Sequence, residues 1–386
     1  MTDTAVNPID SYDLTTETKI NFDELTKILN YEDMPMLAGV NSDGYPLVSK
    51  VPVDNTIFYW QSQDRPVPRT TVATALTTTT TSLVLAAGSG TSFAAGDAVR
   101  IGDEVLFVTA VSTDTLTVVR GSAGTSDPGT TYAVGTDVIG LGTILDEGDI
   151  GDQQFRGRDK SSNYTQIWTS KINVTRTSER IPRYGVPSNT GELVAQVMLS
   201  EGINMEQVAL YGQKWQSDPR RATGGLSYFL TTNTIANAAS GDWLTVGEIE
   251  KRQQVAYDAG GMFTHIMSRP KNFQALNNIA GSERVQSVEV NDALRGRQRA
   301  QYVMTEFGEC YLVRNRHVRA TDAFGINPED VIQRVFQPMI VQPLAKTDDR
   351  NKWMFVAESG FEIKGEEHMV YWTELDNTAA LPSNLV

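Results

Sequence analysis

The side chains that could do chemistry in this 386-residue sequence are few, and their spacing assembles no reaction centre. The three histidines, His265, His317 and His368, each stand without a second histidine or a cysteine at ligand spacing. His265 falls in a predicted strand and the other two near strand ends, positions that suit structural imidazoles. Glu366-Glu367-His368 could bring carboxylate and imidazole to one metal, but reads better as a solvated turn between strands. Cys310 is the only cysteine, which excludes an intrachain disulfide and a cysteine-rich zinc site. A nucleophile elbow requires Gly-x-Ser-x-Gly, and the spacing of Gly88-Ser-Gly90 is wrong for it. No phosphate loop ending in Gly-Lys-Ser/Thr is present, and Gly121-Ser-Ala-Gly124 lacks both the lysine and a following helix. Asp146, Glu147, Asp149 and Asp152 offer oxygens that calcium could use, yet without EF-hand spacing they read as a solvated loop. No catalytic, cofactor-binding or metal-ligating residue is therefore assigned, no cofactor is expected, and the chain reads as a non-enzyme.

Two basic clusters stand out, Arg295-Gly-Arg-Gln-Arg299 and Arg314-Asn-Arg-His-Val-Arg319. Each is either a solvated face or a contact surface, since the planar guanidinium pairs well with carboxylates across an interface. Phosphate contact is the second reading, and neither cluster interleaves the aromatics of a single-strand groove. The chain as a whole carries a formal net charge of -14, which suits poorly a protein that wraps a phosphate backbone. The start, Met1-Thr-Asp-Thr-Ala-Val-Asn-Pro, has no basic-then-apolar signal pattern, and no apolar run nears the roughly 20 residues of a bilayer span. The expectation is a protein made in a cytoplasm, with no membrane partner.

The elements that must position these residues change character along the chain. Residues 1 to about 20 are polar and read as an extended arm. A short helix is predicted at Phe22–Asn30. A threonine-rich stretch from Thr70 to Thr143, without lysine, histidine or cysteine, reads as an inserted β module. Its predicted strands are Ser82–Ala86, Ala98–Ile101, Glu104–Val111 and Thr115–Arg120, and the Thr77–Thr81 run reads as a strand edge or linker. Thr56–Gln63 and Asn163–Thr177 read as strands. The simplest picture joins them in one long hairpin, arms near 56–64 and 153–177, with the module at its tip. A long helix is predicted from Glu192 to Gly212, about 30 Å at 1.5 Å per residue, with Gly202 as a place for a bend. A second helix starts at the capping box Thr245-Val-Gly-Glu248 and ends at Gly260-Gly261. Then come a strand at Phe263–Met267, a helix begun by Ser268, and a hairpin of Gln301–Phe307 with Glu309–Arg314. The last strands are predicted at Met339–Leu344, Lys352–Glu358, Phe361–Lys364 and Met369–Leu375.

In this order the parts resemble the tailed-bacteriophage major capsid (major head) proteins of the Hong Kong 97-type fold. Glu306-Phe-Gly-Glu-Cys-Tyr-Leu-Val-Arg-Asn-Arg316 and Glu358-Ser-Gly-Phe-Glu-Ile-Lys-Gly-Glu366 are similar to one branch of phage head proteins. Asp103-Glu-Val through Val118-Val-Arg-Gly121 is similar to small β domains of phage structural proteins. The resemblance implies an α+β fold with an N-terminal arm at 1–40, and an extended loop and adjoining peripheral region at 41–69 and 144–185. It further implies an inserted β domain at 70–143, and a peripheral domain at 186–224 and 336–386 that holds a spine helix at 192–212. An axial domain would span 225–335.

The function it implies is a subunit that self-assembles as pentamers and hexamers into an icosahedral shell around double-stranded phage DNA, without sequence-specific DNA binding. The implied partners are further copies of itself, a separate scaffolding protein, a portal and a decoration protein. The implied location is the virion, after assembly in the host cytoplasm. Some relatives crosslink a hairpin lysine to a neighbour, but no motif carries that role to Lys160 or Lys171. Phe58, Tyr59, Trp60, Ile167 and Trp168 are the expected contact residues, because extended arms bury little against their own domain. The alternative is a tail or decoration protein whose β domain binds a host surface. An enzyme, for instance a glycosidase using two carboxylates, comes third, because no spacing selects a pair.

Overall fold

The computed structural model describes residues 34–39, 47–63, 69–125, 129, 131–144, 147, 158–181, 189–236, 243–273, 276, 285–290, 298–345 and 349–375. The predicted helix at Phe22–Asn30 lies outside them, as do Asp146, Asp149 and Asp152 of the acidic loop. The chain forms two units, Met1–Trp60 with Ser162–Val386, and Gln61–Ser161.

The larger unit is α+β and holds two main sheets. One has four strands in the order Ser49–Pro52, Val331–Pro343, Arg350–Ile363 and Gln166–Thr175. Ser49–Pro52 runs parallel to its neighbour and the other pairs are antiparallel. The second has seven strands in the order Thr234–Ala236, Val370–Thr373, Ala323–Ile326, His265–Ser268, Gly308–Arg314, Gln298–Thr305 and Val285–Val290. The helix Asn189–Tyr211 turns Met205, Ala209 and Leu210 inward, onto a core that includes Trp168, Phe355 and Phe361. A second core gathers Ile249, Phe263, Ile266, Phe273 and Trp372 around the seven-stranded sheet. The helix Val246–Asp258 starts where its cap predicts, with the Thr245 hydroxyl accepting from the Glu248 N–H at 3.2 Å.

Three expectations need correction. The hairpin is short: Ile57–Ser62 and Asp159–Tyr164 pair in their own two-stranded sheet, and the division between the units falls within both strands. Beyond Thr165 the chain leaves this ladder, and Gln166–Thr175 pairs along its whole length with Arg350–Ile363. Residues 153–157 of the predicted arm lie outside the described residues. Gly202 does not break the long helix, which is continuous through it. A Cβ there would stand 2.5 Å from Met34 Sδ, the far end of a flexible side chain that can move aside. Nor does Gly360 break the strand near Ser359. Arg350–Ile363 is one strand, and a Cβ on Gly360 would meet the Tyr164 carbonyl oxygen at 2.6 Å and the Phe58 ring at 2.7 Å.

In the smaller unit six antiparallel strands follow the order Arg69–Thr71, Asp137–Thr143, Asp97–Ile101, Glu104–Ser112, Thr115–Val119 and Ser82–Val84. The first and last of these are joined by the Val72–Leu85 bridge and by hydrogen bonds from Ala73 N–H to the Val84 carbonyl and from Ala86 N–H to the Thr71 carbonyl. The sheet is thereby closed into a small barrel, which removes its edges. Leu83, Val99, Ile101, Leu106, Val108, Leu116 and Val138 fill the interior. The strands Arg69–Thr71 and Asp137–Thr143 are absent from the sequence prediction, while Thr77–Thr80 is a turn closed by the Thr80 N–H on the Thr77 carbonyl.

Candidate assembly surfaces and the polar nodes that shape them

His265 and His317 are buried, and His265 stacks on Tyr311 with ring centroids 5.2 Å apart. Glu366-Glu367-His368 is a short, partly exposed 3-10 turn between two strands, as expected, and Glu366 also acts as a clamp. Its carboxylate accepts from the Thr231 and Thr232 N–H groups at 3.0 and 3.2 Å and from the Thr232 hydroxyl at 2.6 Å. Among the described residues no group of three His, Cys, Asp or Glu side chains could hold a metal ion. Cys310 is fully buried, and burial pushes its thiol far above the ordinary range. Of the basic clusters, Arg319 stacks its guanidinium on the Tyr211 ring at 4.6 Å, while the side chains of Arg295, Arg297 and Arg299 lie outside the described residues.

Three buried polar nodes join distant segments, and no local pattern in the sequence marks them. In the first, Glu206 projects from the long helix into the core. Its carboxylate accepts from the Met36 and Leu37 N–H groups at 2.8 and 2.9 Å and from the Asn315 amide at 2.7 Å. It ties the Met34–Gly39 segment to the helix. Desolvation pushes its carboxyl above the usual glutamate range, against those three hydrogen bonds and nearby His317.

A second node stands where the short ladder meets the core. The Asn163 amide donates to Thr223 Oγ1 and to the Gly224 carbonyl at 3.0 Å, and to the Phe361 carbonyl at 2.6 Å. Beside it Glu358 accepts from the Thr165 hydroxyl and from Arg221, whose Nε donates to the Thr165 carbonyl at 3.0 Å. In the third, Asp322 accepts from the hydroxyls of Tyr211 and Tyr371, each at 2.9 Å, and so links the long helix to the seven-stranded sheet. Both phenols are pushed upward in pKa, chiefly by burial, with the Asp322 charge adding to it.

The expected contact residues divide. Phe58, Trp60 and Trp168 are buried within their own chain, with Trp60 edge-on to Phe229 at 5.4 Å. They support the subunit itself and are unavailable to a neighbour. Tyr59 and Ile167, at 53% and 50% exposure, point outward. Sequence reasoning missed a row of exposed apolar residues near the end of Val331–Pro343, namely Phe336, Met339 and Ile340. The barrel exposes Val119, Val134, Ile139, Leu141 and Ile144. No helix among the described residues is long and apolar enough to cross a membrane.

The family model described as SU10 major capsid protein matches residues 8–376. No curated protein matches the sequence. Solved structures share the fold at low identity. The capsid chain of Myoviridae phage XM1 matches at a TM-score of 0.51 and 11% identity, covering 95% of this chain and 99% of that one. A chain from Mycobacterium phage Bobi matches at 0.50 and 11%, covering 96% and 100%. The capsid of a native GTA particle matches at 0.50 and 8%, also covering 96% and 100%.

Proposed function

We infer how this molecule works from the premise that the chain belongs to the SU10 major capsid protein family: it is a phage capsid protein of the Hong Kong 97-type fold that assembles with itself into an icosahedral shell. The observation that carries this is the family match, which runs through both units rather than over one. The subunits group as pentamers and hexamers, and repetition of their contacts about symmetry axes closes a finite shell. The shell encloses double-stranded DNA without gripping it, in keeping with a net charge of -14.

We divide the chain into an arm at 1–40, an extended loop at 41–69 with 144–185, and an inserted β domain at 70–143. The peripheral domain is 186–224 with 336–386, and the axial domain is 225–335. The spine of the peripheral domain is the helix Asn189–Tyr211. No residue has a catalytic, cofactor or metal role in this reading, and the protein's work is mechanical. A separate scaffolding protein, a portal and a decoration protein complete the set of partners, and assembly takes place in the host cytoplasm before the shell becomes part of the virion.

Electron microscopy of the expressed chain, alone and with phage assembly partners, tests the reading. Closed shells or hexameric capsomers are expected. A monomer or trimer that never forms shells under either condition would refute it.

A further inference from the structure

Two basic side chains reach from the small hairpin behind the long helix toward the strand Asp159–Tyr164 and its end, and they are treated differently. Arg221 is half-buried and held by the Glu358 carboxylate. Lys214, just past the helix and also half-buried, has no such partner. Its Nζ donates to Ser162 Oγ at 2.9 Å and stands 5.7 Å from the centre of the Tyr164 ring. Among the described residues no carboxylate joins them.

The arrangement is held firmly from both sides. Ser162 and Tyr164 are two positions apart on a strand and therefore share one side of it. Asn163 between them is anchored on the other side by its bonds to Thr223, Gly224 and Phe361. The lysine stem lies against Gly224, where a Cβ would stand 3.1 Å from that of Lys214.

An ammonium in this place loses hydration and gains only a hydroxyl oxygen and the face of a ring. Burial holds the Lys214 amine below the ordinary lysine value of 10.5, although the Tyr164 ring favours the cation. Lysine made neutral by desolvation is the form that attacks carbonyl carbon. When the neutral amine gives one N–H to Ser162 Oγ, its lone pair stays free.

We propose that Lys214, its amine oriented by Ser162, is a site of covalent acylation by acyl thioesters. The amine nitrogen attacks the thioester carbonyl and the new C–N bond forms. The C–S bond breaks, and the proton lost by nitrogen ends on the departing thiolate, so the products are an amide and a thiol. A thioester suits this amine because a thiolate leaves near neutral pH and an alkoxide does not. Serine is here a positioning residue, since its oxygen takes no part in the bonds made or broken. The product carries no charge, so acylation removes a cation from the point where the end of the long helix meets the Ile57–Ser62 and Asp159–Tyr164 ladder. The reaction needs only the single subunit.

The test uses unassembled subunits treated with S-acetyl-N-acetylcysteamine at about pH 7.5, with acetylation of each lysine followed by peptide mass spectrometry. Lys214 should react at least about tenfold faster than the exposed Lys50 and Lys171. Its rate should also level off at a lower pH than theirs. Ser162→Asp supplies the missing carboxylate, and should bring Lys214 down to the rate of the exposed lysines and move its pH profile up to theirs. A melting temperature near that of the parent shows that this variant folds. Should it not fold, the rate and pH profile of the parent decide the matter by themselves. A Lys214 that reacts no faster than Lys50 and Lys171, or whose pH profile follows theirs, overturns the proposal. So does a preference that survives unchanged in folded Ser162→Asp.

Discussion

Glu206 shows how much a single side chain can hold in this fold. It supplies the acceptors for two backbone N–H groups of the Met34–Gly39 segment and for Asn315, all inside the core. Glu206→Ala leaves those donors without partners and should cost about 3 kcal/mol, seen as a lower midpoint in urea unfolding of the unassembled subunit. Its titration gives a second prediction. The folded carboxyl titrates above the ordinary glutamate value of 4.5 that the unfolded chain keeps. Between those two values the folded state holds a proton that the unfolded state has lost. The resulting stabilisation is full below 4.5 and is lost as pH rises through the folded value. Glu206→Gln should remove that decline, and matching pH slopes for variant and parent would refute the assignment. The sequence shows a glutamate within a helical pattern, but not that it faces inward. That orientation follows from what packs against the helix from positions 36, 37 and 315, which sequence distance hides.

At the scale of elements, two devices set how the strands are used. Gly360 lets the Ile57–Ser62 and Asp159–Tyr164 ladder lie on the long strand, so Gly360→Ala should cost about 2 kcal/mol. Because the clash is local, the effect should show as faster limited proteolysis near residues 57–62 before global unfolding. Unchanged cleavage there would argue against the close approach. In the barrel, Arg120 and Glu104 form a buried pair at 2.8 Å, with Gly121 N–H donating to the same carboxylate at 3.0 Å. Arg120→Ala strands the Glu104 charge and should cost about 4 kcal/mol, read as an early thermal transition. The central strands of this barrel were legible, because Glu104–Ser112 and Thr115–Val119 are rich in β-branched and apolar residues on either side of a tight turn. The closing strands Arg69–Thr71 and Asp137–Thr143 were not: one is very short and the other carries two glycines, so neither has a strong pattern of its own. Their pairing comes from closure of the sheet.

For the whole molecule, the decisive expectation is that the barrel is a separable unit. Replacing residues 70–143 by a short linker should leave the larger unit folded, with its helical circular dichroism retained and a cooperative melt. A remainder that does not fold would refute the separation. The class of the protein was legible in the sequence through the resemblance of its order of parts to phage head proteins. The order of a long helix, a mixed region and returning strands, with few reactive side chains and one inserted threonine-rich stretch, is written in periodicity and composition, which act locally and survive without coordinates. The sequence by itself also placed the long helix within a few residues, because an amphipathic pattern over many turns outweighs one glycine. Tertiary structure alone decided which apolar residues are available to another subunit. Phe58, Trp60 and Trp168 have the chemistry of contact residues but are buried in their own chain, whereas Ile167, Phe336, Met339 and Ile340 remain exposed. A strand's alternation says only that its two faces differ. Which face meets the core, and where the chain's own cover stops, depends on segments far away in sequence.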